Sequence, residues 1–118
     1  MHLEITTSFE RDALVHCLLT GLEYFGEDFG RGHTVAESQA RVDYNCCVAM
    51  LGRISNAHLA KMTEDFAVWT KARGREEGDA QDLLLAPDLT DAERSWLEAF
   101  EAEWDKWQRY ADTRFVET

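Results

Sequence analysis

The side chains with metal-binding or nucleophilic chemistry that helices could gather are His16, Cys17, His33, Cys46, Cys47 and His58. A closed zinc site is usually assembled from pairs such as Cys-x₂-Cys or His-x₃-His, whose spacing turns both donors the same way. Neither spacing occurs here. His16 beside Cys17, and Cys46 beside Cys47, are sequence neighbours that project about 100° apart on a helix. Cys17 on one helix and Cys46 or Cys47 on another, completed by His16 or His58, would make a small metal- or ligand-binding bundle. The plainer expectation is that these thiols are apolar core, with no metal and no cofactor.

Carboxylate chemistry is the next candidate. Glu98 and Glu101 have the i, i+3 spacing with which all-α nucleotide pyrophosphohydrolases hold Mg²⁺ between facing helices. Such a site needs a second pair, and neither Glu23/Glu27 nor Glu64/Asp65 supplies it. Ser8, Ser38, Ser55 and Ser95 lack the strand-turn-helix elbow that exposes a nucleophile. A non-enzymatic protein is expected. The glycine-rich stretch 26–33 (GEDFGRGH) does not follow a strand and is no phosphate loop. It reads as a connection, or as a recognition loop anchored by Phe29 and Arg31.

Charge is the more informative feature. The 118 residues hold 23 acids and 12 bases, a net charge of −11. Direct binding to a nucleic-acid backbone is disfavoured, because phosphate contacts need clustered Lys and Arg. Residues 76–105 hold eleven of the acids and a single base, Arg94, so the remainder has twelve acids against eleven bases. In this window lie Glu76, Glu77, Asp79 and Asp82, then Asp91, Glu98, Glu101 and Asp105. Asp91, Glu98, Asp105 and Asp112 recur every seven residues. On a helix such a row drifts only about 20° per step, with members about 10.5 Å apart. An ordinary solvated face mixes signs for i, i+4 support. An unbalanced one steers basic partners.

These residues must be positioned by helices. Periodicity predicts helices over 8–25, 35–54, 56–73 and 91–112. Thr7/Glu10, Thr34/Glu37 and Thr90/Glu93 have capping-box spacing, and Ser55 reads as a further N-cap. The first helix is apolar over most of its circumference and is expected to be largely buried. Residues 46–51 (CCVAML) are expected at the centre of the core. Gly74 reads as a C-terminal stop, and Leu83–Leu85 as a docked turn in an acidic linker over about 75–89. In the last helix Trp96, Leu97, Phe100, Trp104, Trp107 and Ala111 fall on an arc about 100° wide. That arc is either core or a homodimer face. Residues 2–6 alternate and could pair as a short strand with 114–116.

The expected fold is all-α: a small antiparallel bundle of about four helices in one domain, 1–118. Hydrophobic residues at 45%, with four Trp, exclude global disorder. No secretory or membrane-spanning pattern appears, and three cysteines give no disulfide framework, so a cytoplasmic setting is expected. The expected function is an acidic inhibitor or adaptor docking a basic, nucleic-acid-binding partner, as in anti-CRISPR or anti-restriction inhibitors. A metal-binding bundle and a homo-oligomeric scaffold are the alternatives.

Overall fold

The computed structural model describes residues 8–26, 35–75 and 78–116. The fold is all-α, with α1 (Ser8–Gly26), α2 (Val35–Ala72), α3 (Ala80–Leu84) and α4 (Asp91–Ala111). Among the described residues there is no strand, and no helix long and apolar enough to cross a membrane. The chain divides into two compact units, residues 1–54 with 111–118, and residues 55–110.

The expected break near Ser55 is absent, and α2 runs unbroken through 38 residues. Gly52 weakens a helix by backbone entropy, at roughly 1 kcal/mol relative to Ala. That is too little to end one flanked by good formers. Ser55 is fully buried, and its hydroxyl has no hydrogen-bond partner among the described residues. A cap needs non-helical backbone and an amide to receive; Ser55 has neither, because the helix continues through it. The helix ends where Gly74 predicts. Gly74 has φ +68, Arg75 N–H donates to Thr70 O at 2.8 Å, and Gly74 N–H donates to Lys71 O at 3.2 Å. These are the two bonds of a Schellman stop.

In the first unit α1 is covered far less than its composition suggests. Val15 and Leu18 are its buried residues, while Phe9 is 83% exposed and Tyr24 also faces solvent. A helix that is apolar all round needs cover on every side, and this one is covered along a single face, where Val15 and Leu18 are buried and Leu14, Leu22 and Phe25 half-buried. The 46–51 stretch is likewise only partly core: Val48 and Leu51 are buried, whereas Cys46, Ala49 and Met50 are exposed. α1 and α2 come close at Gly21, where a Cβ would lie 3.0 Å from Cys47 Sγ. The expected terminal strand is not formed by 114–116. Asn45 instead grips Val116: its amide donates to Val116 O and its carbonyl accepts from Val116 N–H, both at 2.8 Å. Those are the backbone groups a strand partner would have used. Residues 2–6, like the Thr7 and Thr34 caps, lie outside the described residues.

The second unit is built around aromatic side chains. Trp69, Ala80, Leu83 and Leu97 form its buried cluster, with Phe66, Leu84, Leu89, Trp96 and Phe100 packed against it. The Leu83–Leu85 stretch belongs to α3 and its end. Leu83 is buried and Leu85 is exposed. Trp107 is sealed at 1% exposure, lies 4.6 Å from the His58 ring, and donates its indole N–H to Glu103 at 3.1 Å. This buried indole keeps its polar partner, whereas the buried Trp69 indole N–H has none among the described residues.

Candidate functional site

The acidic segment is anchored by its own local bonds. Asp82 N–H donates to Asp79 Oδ1 at 2.9 Å, and Asp79 N–H donates to Asp82 Oδ2 at 3.3 Å, which caps α3. Gly78 precedes this box with φ +91, and a Cβ there would meet Asp82 Cβ at 2.9 Å. The predicted Thr90/Glu93 box caps α4, with both bonds at 3.1 Å. Arg75 then ties the end of α2 to the start of α4. Its Nε donates to Glu93 Oε2 at 2.8 Å and its guanidinium reaches Asp88 Oδ1 at 3.2 Å. The hydrogen bond from Arg75, helped by the Thr90 amide, pulls the Glu93 carboxyl from an ordinary 4.5 down to about 2.

These bonds sort the candidate acids. Asp79 and Asp82 serve α3 as caps, so their first role is structural. Asp91, Glu98 and Asp105 are exposed along α4, Glu101 is half-buried beside them, and none of the four bonds or pairs with another described residue. The seven-residue row is therefore carried by three members in the second unit. Asp112 follows the end of α4 and belongs to the first unit. Glu76, Glu77, Phe29 and Arg31 lie outside the described residues. Grouped by unit, the charge is less lopsided than along the sequence. Residues 55–110 hold 13 acids and 7 bases, and the rest of the chain holds 10 and 5. The arrangement of the α4 acids, rather than total charge, sets this face apart.

Sequence reasoning missed a groove beside that row. It has a volume of about 410 Å³ and is open to solvent. Phe66, Ala80, Phe100 and Trp104 form its apolar lining, and Asp79, Glu101 and Asp105 its acidic one. On a helical projection α4 already hints at this. Trp104 lies toward one edge of the apolar arc, and Glu101 and Asp105 follow within about 100°. The contributions of Thr63, Phe66 and residues 79–81 come from distant sequence and could not be read locally.

Among the described residues the alternative metal sites do not assemble. Among the described residues no three His, Cys, Asp or Glu side chains gather as a metal site. Cys17 and Cys46 are exposed, Cys47 is half-buried against Gly21, and His58 lies on Trp107. Burial, then the neighbouring Cys46 and Asp43, push the Cys47 thiol above its ordinary value, which suppresses the thiolate. His33 is outside the described residues. Among the described residues Glu98 and Glu101 find no second carboxylate pair. The tryptophans of α4 pack within the second unit: Trp96 stacks on Trp69 at 4.3 Å with ring planes 5° apart. Comparison with protein-family models, with curated proteins and with solved structures finds no match.

Proposed function

We propose that this chain is a non-enzymatic, cytoplasmic protein-binding module that docks a basic partner through α4, as an inhibitor or adaptor. One observation carries the reading. Asp91, Glu98 and Asp105 stand exposed along one helix without engaging another described residue. Like charges three and four residues apart on a helix, as at Glu98/Glu101 and Glu101/Asp105, cost stability because they repel. The row gains a purpose when it meets a cationic surface. Carboxylates about 10.5 Å apart along a helix present a ladder of negative charge, and a protein groove that binds nucleic acid is the kind of surface most suited to receive it. On this reading the four helices act as a small bundle that displays α4.

The test is capture from the native host across a salt series, with the wild type beside Asp91→Lys/Glu98→Lys/Asp105→Lys. The wild type should retain a basic, nucleic-acid-binding protein. Retention should fall as salt rises from about 0.1 to 1 M, which shortens the Debye length from about 10 to 3 Å. The triple variant should lose it at low salt. Equal retention by both proteins, independent of salt, would refute the proposal.

A further inference from the structure

Trp69, Trp96, Phe100 and Trp104 form a ladder of rings. Successive centroids are 4.3, 5.4 and 6.0 Å apart, with interplanar angles of 5°, 14° and 22°. At one end the chain itself shows what such a ring accepts: the guanidinium of Arg73 sits 4.5 Å above the Trp69 ring. At the other end, Phe100 and Trp104 line the groove. There the aromatic surface is bordered by three carboxylates, and no lining residue is a Lys or Arg.

Aromatic rings beside several carboxylates define an occupant by charge and by shape. The charge calls for a cation, and the flat rings call for a flat one. A guanidinium is planar, weakly hydrated, stacks on aromatic faces and forks onto a carboxylate, whereas an ammonium is a compact, strongly hydrated point charge. We infer that the groove formed by Phe66, Phe100, Trp104, Asp79, Glu101 and Asp105 receives an arginine side chain of the basic partner. This rests on the docking role proposed for α4 and adds to it. The exposed row supplies long-range attraction, and the groove supplies the anchoring contact and a preference for arginine over lysine.

Two peptides of equal charge, acetyl-tetraarginine amide and acetyl-tetralysine amide, separate the two parts when titrated calorimetrically into the full chain at low salt. Tetraarginine should bind at least about fivefold tighter than tetralysine. Glu101→Gln should weaken tetraarginine about fivefold or more by removing a charged acceptor. Trp104→Leu should abolish the preference between the peptides while leaving an apolar lining. Asp91→Asn/Glu98→Gln lies outside the groove and should weaken both peptides equally, by less than about threefold. If Trp104→Leu disturbs the helical circular dichroism, Glu101→Gln decides alone. Equal affinity for the two peptides, absence of binding, or equal losses from Glu101→Gln and Asp91→Asn/Glu98→Gln would each overturn the inference. The triple lysine variant also changes the groove residue Asp105, so the row is tested separately by Asp91→Lys/Glu98→Lys, which leaves every groove residue intact. A failed groove with salt-sensitive capture still lost in that variant would therefore leave the docking role standing alone.

Discussion

In residues 55–110, Trp107 and Leu97 are sealed and Trp69 and Trp96 lie face to face. In the unit of residues 1–54 and 111–118, Leu51 and Val48 are sealed too, but Phe9, Tyr24, Val42, Met50 and Phe115 stand in solvent, against Val68 and Leu85 in the other unit. The two units carry similar excesses of acid, so charge does not account for the difference. Patterning does. α4 confines its large apolar residues to one arc and gives the opposite side to acid, so one packed face satisfies the whole helix. α1 carries two apolar arcs, with Leu14, Leu18, Leu22 and Phe25 on the covered side and Phe9 and Tyr24 on another, and a single packing face cannot cover both. Apolar content fixes how much surface asks for burial, and its segregation decides how much is buried.

The strongest way to break this comparison is to truncate one large side chain in each unit. Trp107→Ala should cost about 3–5 kcal/mol, the range for emptying a packed aromatic site. Phe9→Ala should stay within about 0.5 kcal/mol, as for surface changes. Urea unfolding read by both tryptophan emission and far-ultraviolet circular dichroism measures it. All four tryptophans lie in residues 55–110, so emission follows that unit alone. Equal losses from the two substitutions would erase the distinction.

An intermediate effect concerns acid. The Glu93 carboxyl titrates at about 2 in the folded chain against an ordinary 4.5. As pH falls, the unfolded chain takes up this proton first. The stabilisation from the Arg75–Glu93 pair is therefore complete above pH 4.5 and is lost as pH falls through about 2. Glu93→Gln should flatten the dependence of the urea midpoint on pH within that window. An unchanged slope would show that the Arg75 tie does not hold the second unit together.

The smallest expected effect is a gain. Ser55→Ala removes a buried hydroxyl that has no partner and substitutes a better helix former, so thermal stability should rise by about 0.5–1 kcal/mol. A loss instead would show that the hydroxyl is satisfied, and that Ser55 contributes to the second unit.

Most of this architecture was legible in local sequence. The Thr90/Glu93 box, the Gly74 stop and the Trp arc of α4 are short-range signals, and each is formed as read. The α3 cap could have been found too. Asp79 and Asp82 have the same three-residue spacing with carboxylates at both positions, which a search for Ser or Thr followed by Glu passes over. Ser55 misled because a capping residue announces a helix start only if the backbone ahead of it is not already helical, and nothing local decides that. The Arg75 tie and the aromatic groove were hidden for a different reason. Arg75 reaches 13 and 18 residues along the chain, and the groove joins positions 63–66, 79–81 and 100–105. Such meetings depend on how the elements fold back, which periodicity does not encode. The acid row was visible as spacing, but the capping roles of Asp79 and Asp82 emerged only from their bonds.

The Asn45 grip on Val116 also sets an order of events during synthesis. The ribosome makes Asn45 first and Val116 71 residues later. Every residue from 55 to 110 is made in between. Contiguous stretches fold as units while the chain is still emerging, so the tryptophan-rich unit has its full sequence before the partner that Asn45 awaits exists. Until Val116 is made, the Asn45 amide must satisfy itself with water. Asn45 therefore closes on Val116 only after every residue of the tryptophan-rich unit has been made.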